Sequence, residues 1–323
     1  MIKVLIVGLG SIGQRHANAL HEIGVTEIAA LRTNKGQKPI DLSFDVIEFY
    51  SEEEAFLWNP THMVISNPTS LHVPYVELAI RKDIPFFVEK PISDDMDDIH
   101  PQLRSELCQG VVGYNLRFHG LFNFIKRAVE SKTYGEVVTA KLHVGQYLPN
   151  WHPYEDYRNA YYAKKELGGG GLRTLSHEID LIQYFFGKVN TVFAKVEKNS
   201  NLEIDVDDVT NIIANADLCS QINLHINLLD PRIKRKGNIY FTKGVLEYDF
   251  IKSKVIFVAN NGDEDLVYST VEDINIQYQN QMKEFVGMSG SSFACSFEEG
   301  LQVKQIIEMC EQSNDQKKEI CLV

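Results

Sequence analysis

Lys3-Val4-Leu5-Ile6-Val7-Gly8-Leu9-Gly10-Ser11-Ile12-Gly13 decides the fold. An apolar, β-favouring run enters a G-x-G-x-x-G turn and leaves it as a helix. Ile12, His16, Ala19, Leu20 and Ile23 fall on one face of that helix, and Gly24 stops it. The glycines have separate tasks. Gly8 permits the tight turn, Gly10 lets a pyrophosphate approach the backbone, and Gly13 lets the helix pack closely on the strand. The N–H groups that open the helix, beginning at Ser11 and Ile12, then face the phosphates. A dinucleotide site is the expectation.

The next strand, 27–31, runs into Arg32-Thr33-Asn34-Lys35. An NAD site of this type carries Asp or Glu there, on the ribose 2′-hydroxyl. A guanidinium beside a hydroxyl, with no carboxylate in the segment, suits a 2′-phosphate. NADP is therefore expected, with NAD as the alternative. Strand and helix keep alternating. Residues 45–49 read as a strand, and Ser51-Glu52-Glu53-Glu54 as a capping-box start. Residues 62–66 are a buried strand, Asn67-Pro68-Thr69-Ser70 a turn, and Val73, Val76, Ala79 and Ile80 the inner face of a helix. A strand at 84–88 closes on Glu89-Lys90-Pro91. Such alternation predicts a doubly wound parallel sheet, with ligands at the carboxyl ends of its strands.

After residue 118 the texture changes. A helix at 121–130 precedes a strand at 136–146. Segments 191–198, 211–216, 221–228, 237–242, 245–250 and 254–258 then read as strands joined by short turns, and 297–311 as a helix. The expected fold class is α/β, with a Rossmann domain over 1–118. An α+β domain with a large antiparallel sheet, holding substrate and offering an oligomer face, is expected over 119–323.

Composition narrows the function. With 44% hydrophobic residues in 323, a sizeable core is available to two domains. A net charge of −12 argues against nucleic acid as a partner. The local exception, Arg232-Ile233-Lys234-Arg235-Lys236, reads as an exposed turn between strands, either solvated or touching an anionic substrate. Five scattered cysteines without a C-x-x-C pair argue against a disulfide framework or a metal site, and for a reducing cytoplasm. The first strand starts at the second residue, leaving no room for a signal peptide. No apolar run approaches the roughly 20 residues that cross a bilayer. A soluble intracellular protein is expected.

Two stretches carry chemistry. Lys90, ending a strand at the cofactor edge, can hydrogen-bond a substrate hydroxyl and the nicotinamide ribose and stabilise a developing alkoxide. Gly168-Gly169-Gly170-Gly171 allows close approach of backbone to a ligand. The helix beyond presents His177 and Asp180 one turn apart, and histidine is the natural proton shuttle at a carbinol carbon. The loop 147–158 is punctuated by proline and dense in aromatics. Tyr147, Trp151, Tyr157 and Arg158 are its candidates for stacking on sugar rings and gripping hydroxyls.

Together, Gly8 to Gly13, Glu89-Lys90-Pro91 and the run from Gly168 to Asp180 resemble the glucose-fructose oxidoreductase, inositol dehydrogenase and rhizopine-catabolism family, Gfo/Idh/MocA. The resemblance spans nearly the whole chain. Asn67, Pro68 and His72 match the family's cofactor-side turn, and Gly113 to His119 its domain junction. The resemblance implies Lys90 and His177 as the catalytic pair, Glu89 among the cofactor contacts, and sugars, polyols or nucleotide-linked sugars as substrates. The loop 147–158 resembles a subgroup from bacterial surface-polysaccharide pathways. In one respect the sequence departs from the family: Arg173 and Thr174 stand where many members carry an aspartate one turn before the histidine. Arg173 would then lower the His177 pKa, and Thr174 would sit at the substrate. The reading is a sugar dehydrogenase or reductase, working as a homodimer or homotetramer. Alternatives are a redox-neutral NAD-dependent glycosidase and a non-catalytic dinucleotide sensor.

Overall fold

A computed structural model describes residues 1–33, 40–93, 99, 110–151, 156–290 and 292–322. Asn34, Lys35, Cys108 and the loop residues from His152 to Glu155 lie outside them. The chain opens with β1 (Lys3–Val7), α1 (Ser11–Glu22), β2 (Glu27–Leu31), β3 (Ile47–Phe49) and α2 (Glu52–Leu57). Then come β4 (His62–Ile65), α3 (His72–Arg81), β5 (Phe86–Val88), β6 (Gly110–Val112), α4 (Gly120–Glu130) and β7 (Val137–Gly145). Next are α5 (Gly171–Thr174), α6 (His177–Phe186), β8 (Val189–Glu197), β9 (Val209–Ala216), β10 (Cys219–Asn227) and β11 (Lys234–Phe241). Last are β12 (Gly244–Asp249), β13 (Lys254–Ala259), β14 (Glu264–Ser269), α7 (Ile274–Phe285), β15 (Cys295–Ser296), α8 (Phe297–Gln316) and β16 (Ile320–Cys321).

Two compact units result. One comprises Met1–His119 and Glu272–Lys304, the other Gly120–Val271 and Gln305–Val323. The expectation of an unbroken second domain over 119–323 is thereby corrected. Tyr278 and Met282 of α7, with Val286 beyond its end, recur every four residues and join a core with Val4, Ile6, Leu20, Val64 and Phe87. Helical periodicity says which face of a segment is buried, not which sheet it will cover.

The first unit's sheet runs β15-β6-β5-β4-β1-β2-β3, parallel except for β15. Its switch point lies between β1 and β4, both buried nearly throughout because helices cover such a sheet on both faces. Ser51 caps α2 by accepting the Glu54 N–H at 3.3 Å, and three glutamates in the first turn favour the helix dipole.

The second unit's sheet runs β14-β13-β12-β11-β7-β10-β9-β8-β16. It is antiparallel except where β10 lies parallel to β7. The basic run at 232–236 is corrected here: Lys234, Arg235 and Lys236 open β11 rather than a solvated turn. Arg235 donates through Nε to Glu178 of α6 at 2.5 Å, and Lys234 donates to Asp230. Alternation of strand charges is hard to tell from a charged turn without the partner carboxylates.

Asp230 also accepts from His143 Nε2 at 2.7 Å and Asn227 Nδ2 at 3.0 Å. Burial alone would raise its carboxyl, but hydrogen bonds from Lys234, Asn227 and His143 prevail and hold it at about 2. A folded-state pKa below the unfolded value adds stability that is complete above the unfolded pKa and disappears as pH falls through the folded one. Asp230→Asn should therefore lower the melting temperature near neutrality. The gap to wild type should close between roughly pH 4 and pH 2 in thermal melts. A gap independent of pH would mean the carboxylate charge does not matter.

Candidate active site

α1 begins at Ser11 after Gly10, with no side-chain cap and no acidic residue in its first turn. Its first internal bond is Gln14 N–H to Gly10 O at 2.9 Å, so the preceding N–H groups point out of the helix end. Gly8 has φ +88°, and a Cβ there would stand 2.8 Å from Asn67 N and Cα. On Gly13 a Cβ would stand 2.1 Å from Gly8 O. Both glycines thus serve the chain's own packing. Gly10 differs: a Cβ on it meets nothing within 4 Å, so a side chain would fill the space the helix end faces. An open cradle over bare N–H donors fits a pyrophosphate.

Asn67 follows β4 at the same edge. Its Nδ2 donates to Leu71 O at 3.2 Å, while its Oδ1 is buried without a hydrogen-bond partner among the described residues. That acceptor fits a ligand donor. Pro68 precedes a short turn, Thr69–Leu71. His72 is buried, its ring nitrogens 2.9 Å from Pro91 O and 3.0 Å from Asn67 O, so it ties two edge turns together. Lys90, just beyond β5, is partly buried. The Glu89 carboxylate turns inward to His16 at 2.7 Å, which corrects its expected place on the cofactor.

The premise of the NADP expectation is also corrected. Glu48 of β3, opposite Ala30 of β2, brings a carboxylate onto Arg32, whose Nη1 donates to it. Tyr50 donates to the same oxygen at 2.7 Å. These two hydrogen bonds, Tyr50's first, hold the Glu48 carboxyl below its ordinary range. Thr33 is exposed beside them. Parallel register between strands 16 residues apart leaves no local trace in sequence.

In the second unit the glycine run approaches its own chain, not an open site. A Cβ on Gly169 would lie 2.5 Å from Tyr161 O, and one on Gly170 (φ +119°) 2.2 Å from Asp207 Oδ1. Asp207 accepts from Leu172 N–H at 2.9 Å and Thr210 at 3.1 Å, and burial pushes its carboxyl up. His177 opens α6 partly exposed, with Thr174 partly exposed one turn before it. Asp180, one turn beyond His177, is wholly buried. Arg173 is paired with Glu311 at 2.8 and 3.0 Å.

The aromatic loop divides. Trp151 and Tyr157 pack among Leu148, Tyr162, Leu202 and Leu228, as a small core and not a free stacking surface. Arg158 spends its guanidinium on Asp156 and Glu203. Tyr147, and Tyr161 just beyond the loop, are exposed rings among the described residues. Alternating aromatics in a loop do not show which side faces inward.

A model of the oxidoreductase family GFO/IDH/MocA, NAD-binding Rossmann fold, matches residues 2–113, and one of the GFO/IDH/MocA C-terminal domain matches 122–247. The oxidoreductase YrbE of Bacillus subtilis is 28% identical over 198 residues, 59% of this chain and 55% of its own. Inositol 2-dehydrogenase of Pseudarthrobacter chlorophenolicus is 26% identical over 212 residues, 62% of this chain and 59% of its own. The chain thus spans a little over half the length of these curated relatives. The WlbA dehydrogenase of Bordetella pertussis, solved with NADH and UDP-GlcNAcA, superposes with a TM-score of 0.80 at 17% identity, covering 100% of this chain and 98% of its own.

Proposed function

The chain belongs to the GFO/IDH/MocA oxidoreductase family, and on that premise we propose that it moves a hydride between a nicotinamide and the carbinol or keto carbon of a sugar or nucleotide sugar. The observation that carries this reading is the bare first turn of α1 over Gly10, at the same sheet edge as Lys90. The Gly8–Gly13 backbone and Asn67 would hold the dinucleotide, which when bound supplies the hydride acceptor or donor. Lys90 hydrogen-bonds the substrate oxygen and stabilises its alkoxide character. His177 takes the hydroxyl proton in oxidation and returns it in reduction. Tyr147, an exposed ring among the described residues, is a candidate to stack on a sugar. Inositol and UDP-GlcNAcA, named with the relatives, set the range to search, and a place in surface-polysaccharide synthesis suits the nucleotide-sugar end of it.

The reading is tested with a panel of polyols, free sugars and nucleotide sugars, following NAD(P)H absorbance in both directions. A wild-type protein that binds neither dinucleotide overturns it. Sugar cleavage without net cofactor turnover would replace it by the glycosidase alternative.

For the cofactor, NADP was expected from Arg32 and Thr33, but Glu48 shifts the choice to NAD(H). A ribose 2′-hydroxyl can donate to that carboxylate, whereas a 2′-phosphate must displace it from Arg32. Glu48→Gln should move the NADPH-to-NADH affinity ratio toward NADPH by about tenfold, about 1.4 kcal/mol, in fluorescence titrations. Adding Arg32→Ala should cancel the gain. An unchanged ratio in Glu48→Gln rejects the assignment.

We take the protein to work in a reducing cytoplasm, in keeping with four free cysteines among the described residues. No helix among them is long and apolar enough to cross a membrane. Cross-strand neighbours Phe193 and Ile213, each nearly half exposed on the second unit's sheet, suit a homo-oligomer face, which light scattering on the purified protein would test.

A further inference from the structure

We propose that His16 is a positioning residue for Lys90: from α1 it pins the Glu89 carboxylate under the Lys90 backbone, so that a fixed anion stays beside the lysine. This rests on the reading of Lys90 as the group that meets the substrate oxygen.

His16 has no exposed surface. Its Nε2 lies 2.7 Å from Glu89 Oε1, and since an ionised carboxylate only accepts, Nε2 carries the proton. Apolar surroundings fill the rest of the ring's environment, with Phe87 edge-on at 4.8 Å and Tyr278 at 5.7 Å. Nδ1 has no hydrogen-bond partner among the described residues. Glu89 is thus the ring's one polar attachment among them. A residue there for packing alone could be Leu or Phe and would not carry the unfilled ring acceptor Nδ1.

The other carboxylate oxygen, Oε2, accepts the Lys90 N–H at 3.2 Å. Bare backbone at Gly113 makes room for it, since a Cβ there would stand 2.9 Å away. Burial alone would raise the Glu89 carboxyl, but the His16 hydrogen bond and the Lys90 charge bring it below its ordinary range. Other polar groups near the cluster among the described residues are the Tyr278 hydroxyl of α7, which Arg15 reaches at 3.5 Å, and His72 of α3 on the Pro91 carbonyl.

Without His16 the carboxylate either takes a proton or swings away. In both cases Lys90 loses its anion, and the neutral fraction of its amine rises. An opposite charge near an ammonium moves its pKa by about one unit or more, hence about tenfold in that fraction.

The test is site-resolved acylation of Lys90 by an activated ester at about pH 8, read by peptide mass spectrometry on the full chain. It needs neither substrate nor dinucleotide. His16→Leu and Glu89→Gln should each speed acylation about tenfold, while His16→Gln, whose amide can replace the Nε2–H, stays within about twofold of wild type. A folded His16→Leu protein with wild-type Lys90 reactivity overturns the proposal. Should that variant not fold, the Glu89→Gln background decides. There His16→Leu should change the rate less than about twofold further, and a larger change overturns the proposal. Loss of the oxidoreductase reading would instead appear as absent dinucleotide binding by the wild type, with these rates unaffected.

Discussion

Alanine at Lys90 or at His177 lowers kcat on the sugar identified by the panel by roughly 10²-fold or more, the scale of positioned acid–base and electrostatic groups. The two variants should differ in binding. Lys90 stands at the edge carrying the α1 cradle, so Lys90→Ala weakens NADH binding, whereas His177→Ala leaves it near wild type. Stopped-flow turnover and fluorescence titration on the same preparations separate the two effects. Near-normal kcat in a folded His177→Ala protein removes the histidine from the chemistry. Equal loss of NADH affinity in both would point to a general loosening instead.

Glu178→Ala costs about 3–5 kcal/mol of stability, the usual result of taking one partner from a buried ion pair. The Glu178 side chain is 3% exposed and Arg235 18%, and the guanidinium also lies over the Phe250 ring at 5.5 Å. Removing the acid strands a cation against an aromatic wall. Replacing both, as Glu178→Leu with Arg235→Leu, should recover much of the loss, because the desolvation penalty goes with the charges. Urea melts of the two single variants and the double complete the cycle. A loss below about 1 kcal/mol for Glu178→Ala would place the pair among solvated surface bridges. Because Glu178 follows His177 in α6, kcat of Glu178→Ala should fall even where the protein is fully folded.

What could be read from sequence was what neighbours along the chain decide. The β1–Gly8–Gly13–α1 unit is contiguous, its glycine spacing has a steric cause at Gly8 and Gly13, and strand, turn and helix fall where that spacing puts them. The alternation of 119 onward gave the strand-rich second unit, but β14 went unread because Glu264, Asp265 and Leu266 are all exposed and carry no in-out pattern. What escaped was pairing at long separation. Glu48 reaches Arg32 through strand register, Glu311 reaches Arg173 across 138 residues, and His16 reaches Glu89 across 73. The last had a faint signal. His16 shares the inward face of α1 with Ala19 and Leu20, and a histidine on a buried stripe asks for a partner.

The return of α7 to the first unit has a consequence for how the molecule is made. Residues 1–119 emerge from the ribosome long before Tyr278, Met282 and Val286, which complete the layer over Val4, Ile6 and Phe87. Until then the nascent nucleotide-binding half exposes an apolar trough. Residues 120–271 form most of the second unit and can settle meanwhile. The half translated first therefore waits on a segment made more than 150 residues later, and a gene fragment cut after residue 119 yields a sticky, incomplete layer rather than a dinucleotide-binding module.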